Sequence, residues 1–513
     1  MIIYSGMNTI NQLIGGGLDS SGLTDILNEP SSNGSFRQVL ALPAQQVLLT
    51  ESATAMAAVA GSIPAVKIVV ESVATMNAVV GNETATDAIA ASDVASYLVS
   101  RTFSTNDRMI GAQHSVGAYL NQLVTTTLPP GTDGDLVLAG QRTMYAVVWH
   151  ITGLEAVAQS MEGMEALVTS PTAVALISSS PVANNMVIGS PYYVGYYLDY
   201  IRALDGRFIS PALRVENTIA HSGVGSSAAV ISLMGPVHDI NLSIAGVLAS
   251  VDAVADVLVC PKAAFAVASS AVGAAAVSVN TAASQAFSVD TYANNLMLAS
   301  ASSGVYLNRI LTAAGGASNS SLAAQTTLAG IAASSASMAA LIGSTAALTA
   351  LASSQAAMTS IFTSNAAADA LLTSTPAKTI IYNSDAALSG LQANPDQVQR
   401  QITARGIAGG VAVSNYVWVA PGTKAILLRR WYVTGADFDA VMYGRDGTGV
   451  KMGSRSLNAN QVATGSIAGT YNSNGSAMAA NDATGNFVSA SNGLARDHWT
   501  VPGSTMNCAY LLV

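Results

Sequence analysis

The sequence has little charge, few aromatic side chains and almost no cysteine. Asp, Glu, Lys and Arg make up only 10% of its 513 residues, and the formal net charge is −9 at pH 7. Binding of nucleic acid through its phosphates needs clustered Lys and Arg, so this charge balance argues against a nucleic-acid partner. Cys260 and Cys508 lie far apart and form no CxxC pair. A disulfide framework or a zinc site is therefore not expected.

Motifs of catalysis and cofactor binding are also missing from the sequence. The five histidines form no HExxH or His-x-His pair, and neither GxxxxGK[ST] nor GxSxG occurs. Asp437 and Asp439, one residue apart, could serve glycoside hydrolysis or bind calcium if a strand held them on one face. A solvated loop is the interpretation we prefer for this pair. We therefore predict no catalytic residues, no metal site, no cofactor and no enzyme activity.

The sequence gives no clear signal for export or membrane insertion. Its first residues, Met1 to Gly6, include neither a basic stretch nor a continuous apolar run. The apolar segment 263–279 is interrupted by Ser269, Ser270 and Ser278. We therefore expect no signal peptide and no insertion into a membrane.

A ten-residue unit is the most abundant feature of the sequence. It consists of serine, two free positions, alanine, an aliphatic residue or methionine, a free position, alanine, an aliphatic residue and two free positions. In 24 units the first residue is almost always Ser, Asn, Asp or Gly, the types that suit a helix N-cap. Proline often follows it, as the first helical turn allows. The clearest predicted caps are Ser52, Ser62, Ser72, Ser160, Ser170, Ser180, Ser344, Ser354, Ser364 and Ser384.

The period of ten predicts short helices that stack. The small and aliphatic residues at offsets three, four, six and seven from the cap share an arc of roughly 160° on a helix. An unbroken helix would rotate this arc by roughly 80° per unit, so no single partner surface could follow it. We therefore predict helices of about two turns, each ended by a tight bend and packed on its neighbours as in a solenoid.

The units divide the chain into blocks and interruptions. The fold class predicted is a mainly α array of short-helix decapeptide repeats, resembling a solenoid, followed by a small C-terminal antiparallel β domain. The predicted divisions are an N-terminal region 1–50, repeat block 51–101, interruption 102–139, repeat block 140–199, interruption 200–249, repeat block 250–309, interruption 310–333, repeat block 334–405 and β domain 406–513.

The last hundred residues change from helical to alternating patterns. Val411 and Val413 alternate with small residues, Ala425 to Val433 forms a second strand candidate, and Asp446-Gly447 marks a hairpin turn. This pattern predicts a β domain of sandwich or jelly-roll type. Aromatic and arginine side chains there could bind sugar rings, although β cores also use aromatics. The candidate receptor-binding residues are Arg429, Arg430, Trp431, Tyr432 and Trp499.

Several units resemble the decapeptide arrays of tailed-bacteriophage structural proteins. Ser52 to Gly61 reads SATAMAAVAG and Ser344 to Ser353 reads STAALTALAS, similar to the Ser/Ala/Met arrays of tail-fibre and other virion proteins. This resemblance implies a virion component assembled in the host cytoplasm, and a homo-oligomer that is specifically a trimer. Together with the candidate receptor-binding residues, it favours host attachment with a surface glycan as the partner. By analogy, residues 1–50 would anchor the chain to other virion proteins.

Two other functions remain open at this point. One is a non-adhesive collar, head-surface or baseplate protein, and the other is a capsule polysaccharide depolymerase. Residues 331–394 carry only three charges, Asp369, Lys378 and Asp385. We therefore expect their outer positions to be covered by other copies of the chain or coated with Ser and Thr hydroxyls.

Overall fold

The computed structural model describes residues 19–125, 138–214 and 243–394, the residues Gln397, Arg400 and Gln401, and the backbone of ten strands. This described part of the chain is mostly helical and contains 31 α-helices. The chain forms two units, Met1–Val277 and Ser278–Val513.

The first unit contains twenty of these helices. Their bounds are Ser20–Asn28, Ser32–Leu40, Pro43–Glu51, Ala53–Gly61, Ile63–Glu71, Val73–Val80, Glu83–Ala90, Asp93–Ser100, Phe103–Ile110, Val116–Thr125, Met144–Trp149, Ile151–Ala158, Met161–Val168, Pro171–Ser179, Pro181–Ile188, Val194–Leu204, Ile244–Ala249, Val251–Leu258, Pro261–Ser269 and Ala271–Val279, the last of which ends just beyond the unit.

The second unit contains eleven described helices. Their bounds are Thr281–Val289, Thr291–Ala299, Ser303–Ala313, Ser320–Ala323, Leu328–Ala333, Ser335–Ile342, Thr345–Ala352, Gln355–Ile361, Asn365–Thr373, Thr375–Tyr382 and Asp385–Gln392. Most helices in both units have eight or nine residues, which is the length that the decapeptide predicts.

A single extended residue separates many successive helices. Ser62 both ends the helix Ala53–Gly61 and caps the helix Ile63–Glu71, with φ −106° and ψ 112°. Its hydroxyl accepts a hydrogen bond from the Ala65 amide at 3.3 Å. The two helix axes bend by 101° at this residue. The N-cap therefore sets both the start of a helix and the corner that precedes it.

The buried side chains lie at the offsets that the sequence predicts. In the unit capped by Ser52, Ala55, Met56, Ala58 and Val59 are all fully buried. The unit capped by Ser344 buries the equivalent residues in the same way. The core of each helix is therefore a narrow strip of Ala, Met and aliphatic side chains, and the small alanines let neighbouring helices approach closely.

Cap serines also join successive coils of the array. Ser92 donates to the Ala60 carbonyl oxygen at 2.7 Å, and Ser384 donates to the Ala352 carbonyl oxygen at 2.5 Å, both across 32 residues. Ala60 lies two residues before the cap Ser62, and Ala352 lies two residues before the cap Ser354. Each of these caps opens the helix that comes three helices before the one capped by the donor serine. Corners at three separate places in the array bend by 93 to 103°, so three successive corners of this size would complete most of a full turn. Each coil therefore comprises three helices and about 30 residues.

The helical array starts earlier than the sequence predicts. The three helices from Ser20 to Glu51 lie within the region 1–50, which was predicted to lack the repeat and to serve as an anchor. Thr24 donates to the Ala58 carbonyl oxygen at 3.2 Å, so the first helix stacks on the next coil. The prediction missed these helices because their N-caps, Asp19, Ser31 and Leu42, are spaced by twelve and eleven residues instead of ten.

The structure also corrects the register at several predicted caps. The repeat block 140–199 was predicted to open with a cap at Gly140. Its first helix is instead capped by Thr143, whose hydroxyl accepts a hydrogen bond from the Ala146 amide. After Ser190 the chain passes through Tyr193 at φ 54° before the next helix begins at Val194. Cys260 precedes a helix but makes no side-chain cap hydrogen bond. The helix Phe103–Ile110 continues the array into the predicted interruption 102–139.

The described strands are β1 Glu216–Ile219, β2 Val237–Ile240, β3 Ile407–Val413, β4 Ala425–Thr434, β5 Phe438–Tyr443, β6 Gly449–Arg455, β7 Val462–Gly465, β8 Phe487–Val488, β9 Ala495–Arg496 and β10 Thr505–Leu512. They form three sheets. The hairpin of β1 and β2 lies in the predicted interruption 200–249. The sheets ordered β3-β10-β4-β7 and β6-β5-β9 lie in the predicted β domain, and β8 pairs with β4. A sandwich or jelly roll remains a prediction for that region.

Candidate functional site

The predicted receptor-binding residues lie largely outside the described residues. Arg429 to Tyr432 belong to strand β4, which pairs with β10 so that Trp431 is opposite Cys508. The side chains of this strand and the whole of Trp499 lie outside the described part. Asp437 lies outside it as well, and Asp439 belongs to strand β5. Glycan binding by these residues therefore stays a prediction.

The predicted capping serines all lie at helix N-caps. Each hydroxyl accepts a hydrogen bond from the backbone amide three residues later, as Ser344 does from Ala347 at 3.3 Å. The full set is Ser52, Ser62, Ser72, Ser160, Ser170, Ser180, Ser344, Ser354, Ser364 and Ser384. These side chains satisfy amides that a helix start leaves without an intrahelical partner.

Three buried tyrosines form hydrogen bonds that the sequence analysis missed. The hydroxyl of Tyr119 donates to Asn106 Oδ1 at 2.8 Å, and Asn106 Nδ2 donates to the Ala166 carbonyl oxygen at 2.8 Å. Both side chains are fully buried. These bonds link the successive helices Phe103–Ile110 and Val116–Thr125 to the later helix Met161–Val168.

The same arrangement occurs twice more. Tyr197 donates to Asn184 Oδ1 at 3.0 Å, and Asn184 Nδ2 donates to the Ala266 carbonyl oxygen at 2.8 Å. In the second unit, Tyr306 donates to Asn294 Oδ1 at 3.0 Å, and that amide donates to Ala350 at 2.7 Å.

Burial fixes the protonation state of these phenols. Removal from water raises the pKa of Tyr119, Tyr197 and Tyr306 well above the ordinary value of 10.0. Each hydroxyl therefore stays protonated and can donate to its asparagine. The arrangement is a structural clamp, because no phenol is available as an acid or base near neutral pH.

A cluster of charged side chains follows the second of these tyrosines. The fully buried carboxylate of Asp199 accepts from Arg202 Nη1 at 3.2 Å, from Arg214 Nε at 2.6 Å and from the Ser210 amide at 2.9 Å. Arg202 also reaches Asp256 at 3.4 Å. Two carboxylates thus face two guanidinium groups, which balances the buried charge. The cluster holds the start of the predicted interruption 200–249 against the following helices.

Aromatic side chains are exposed on the surface of the first unit. Tyr145 and Trp149 are 62% and 66% exposed, and their rings lie 6.1 Å apart. Phe103, 46% exposed, stacks on Tyr200 at 5.9 Å. These rings offer apolar contact area to another molecule. Sequence reasoning did not single them out, because their exposure depends on where the interruptions displace the ten-residue register.

Within the described residues, no group of three or more His, Cys, Asp or Glu could hold a metal ion. No single described helix is both long enough and apolar enough to cross a membrane, although three helix pairs bent by 93 to 103° meet those criteria jointly. No protein-family model matches the chain, and no curated protein matches it.

Proposed function

We propose that this chain is a structural component of a bacteriophage virion, specifically a tail fibre or a related appendage that contributes to host attachment. The observation that carries the proposal is the array itself. In both units, short capped helices form coils that hydrogen-bond to the next coil through the cap serines. Solenoids of this kind act as scaffolds that present other segments. The resemblance of the repeat units to phage arrays supports a place in the virion.

We further propose different roles for the ends of the chain. The three helices between Ser20 and Glu51 form the first coil of the array. Attachment to other virion proteins is therefore proposed for this first coil together with the residues before it. The β region would close the assembly or contact a host glycan through Arg429, Arg430, Trp431, Tyr432 and Trp499. The exposed rings of Tyr145 and Trp149 support association of several copies.

Labelling of intact particles tests this proposal. An antibody against residues 411–513 should bind purified phage particles and mark the distal end of a tail appendage in electron micrographs. A matched antibody against the first coil should mark the end nearest the particle. Absence of the chain from purified particles would overturn the proposal.

The position of the label and a separate assay of glycan release distinguish the two alternative functions. Label on the collar, head surface or baseplate would replace the adhesive role with a non-adhesive structural one. A depolymerase would release oligosaccharides from purified capsular glycan, and we expect no release by the purified chain.

A further inference from the structure

A short sequence recurs near each of the three interruptions of the array. Gly117 to Asn121 reads GAYLN, Gly195 to Asp199 reads GYYLD, and Gly304 to Asn308 reads GVYLN. Each lies on a helix of ten or eleven residues, longer than the usual eight or nine. The tyrosine of each segment is the one that bonds to a buried asparagine.

The spacing around these tyrosines is nearly constant. The asparagine precedes its tyrosine by 13, 13 and 12 residues in the three copies. After the interruption the array restarts at the caps Thr143, Ser243 and Thr327. The carbonyl that accepts from the asparagine lies 23 residues beyond the cap each time, at Ala166, Ala266 and Ala350. A chance arrangement would not keep this number while the connecting segments change length.

In the first and third copies, the chain that follows the interruption packs directly against the glycine of the shared sequence. A Cβ on Gly117 would lie 2.0 Å from the Leu138 carbonyl oxygen, and one on Gly304 would lie 2.3 Å from that of Leu322. The Gly117 amide donates to Gln141, and the Gly304 amide donates to the equivalent Gln325. The returning segments are themselves alike, since LAGQRT ends at Thr143 and LAAQTT ends at Thr327.

The second copy carries an extra segment at the corresponding place. Leu213 and Leu322 both follow their tyrosine by 16 residues, and the backbone amide of each donates a cap bond, to Ser210 Oγ and Asn319 Oδ1 respectively. Leu322 precedes its cap by five residues, whereas Leu213 precedes Ser243 by 30. The additional 25 residues include strands β1 and β2.

We propose that the interruptions are copies of one joint module, and that this joint is where the array changes length by whole modules and accepts inserted segments. The inference rests on the proposed scaffold function and adds how the length of the scaffold is set. In each copy the tyrosine and asparagine make the same hydrogen bonds, and in the first and third copies the glycine packs against the returning chain. Segments inserted between them leave that packing unchanged.

Excision of one module in the full-length chain tests the proposal. Deleting residues 198–306 joins Tyr197 to Leu307, so that Tyr197 takes the place of Tyr306 within the helix that ends at Ala313. The asparagine at 184 should then donate to the carbonyl of Ala350 in place of Ala266. We expect a soluble, cooperatively unfolding protein whose helical circular dichroism per residue equals that of the full chain.

A second deletion, which ends about half a helix later than the first, serves as the control. Removing residues 198–311 deletes five further residues and brings the glycines at 315 and 316 into the wrong place. This control should aggregate or lose cooperative unfolding. Equal behaviour of the two deletions, or failure of the first to fold, would overturn the module. A second readout is Asn184→Ala, which should lower the unfolding midpoint of the full chain and of the excised chain by the same amount if the clamp re-forms. Since folding is measured, the outcome is independent of where the chain lies in a particle.

Discussion

The opening serine of a repeat unit makes two kinds of hydrogen bond. Ser364 accepts from the Ala367 amide at 3.3 Å and donates to the Ala332 carbonyl oxygen of the previous coil at 3.1 Å. An aspartate at this position could form only the capping bond to the amide, because a carboxylate has no proton to donate to the Ala332 carbonyl oxygen. The preference for serine at these positions therefore reflects coil stacking as well as helix capping.

Substitutions at two caps separate these contributions. Ser344→Ala should lower the free energy of unfolding by about 1 kcal/mol, the usual cost of a lost cap. Ser364→Ala should cost about 1 kcal/mol more, because the Ala332 carbonyl also loses a donor. Ser364→Asp should restore only the capping part. Urea unfolding measures all three, and equal losses for the two alanine variants would contradict the double role.

A second prediction at this scale concerns the buried phenols. The pKa of Tyr197 is raised in the folded chain, so the unfolded chain ionises first as the pH rises above about 10. The contribution of each such tyrosine to the free energy of unfolding is therefore fully present below pH 10. Above pH 10 the free energy of unfolding should fall by about 1.4 kcal/mol per pH unit for each of them. Tyr197→Phe should lessen this slope by one tyrosine's share, although it also costs about 1–3 kcal/mol at neutral pH by leaving Asn184 Oδ1 without its donor.

Tyr145→Phe is the matched control, since that side chain is 62% exposed. It should leave the stability at neutral pH unchanged. Unfolding by urea at several pH values between 8 and 12 gives these slopes, and an unchanged slope in the Tyr197 variant would contradict the clamp.

At the scale of helices, the sequence was informative wherever the ten-residue period is uninterrupted. Cap, buried strip and helix length around Ser344 could all be predicted, because each depends on residues within one unit. The joints could not be predicted in this way. Tyr119 and Ala166 belong to one clamp but are separated by segments of variable length, so no fixed period reveals them. The first helices were missed for a related reason, since their caps are spaced by more than ten residues.

The distribution of exposed side chains also belongs to this scale. Residues 331–394 show no large exposed hydrophobic side chain among those described, whereas Tyr145, Trp149 and Ile151 are more than half exposed. The exposed positions of the fourth block include the hydroxyls of Ser335, Thr345 and Thr363 beside several alanines, and coverage by other copies stays a prediction. Contacts between copies are better sought near Tyr145.

Substitution of the exposed rings tests that expectation. Tyr145→Ser combined with Trp149→Ser should weaken self-association at least tenfold, because burial of two aromatic side chains on association would be lost. Thr349→Asn, at an exposed position of the fourth block, is the control and should have no effect. Sedimentation across a concentration series measures the change, and unaltered association of the double variant would place the contact elsewhere.

At the scale of the whole molecule, the proposed adhesive role makes a prediction about the β region. Trp431 and Tyr432 are adjacent in strand β4, so they belong to opposite faces of the sheet. Arg429 and Arg430 lie where the pairing of β4 with β10 shifts register between Leu428 and Trp431, so alternation does not assign them to either face. Alanine substitution of the aromatic residue on the exposed face should abolish adsorption of particles to cells while leaving particle assembly intact, and substitution of the other aromatic residue is the control. Normal adsorption by both folded variants would favour the non-adhesive structural role.

The central claim is that the ten-residue unit folds as a capped helix and that three such helices form each coil. A cryo-electron microscopy map of the purified full-length chain tests it most directly. We predict helices of eight or nine residues that bend by about 100° at each cap serine, with the hydroxyl of Ser384 next to the carbonyl of Ala352. Continuous helices running through Ser344, Ser354 and Ser364 would contradict the account.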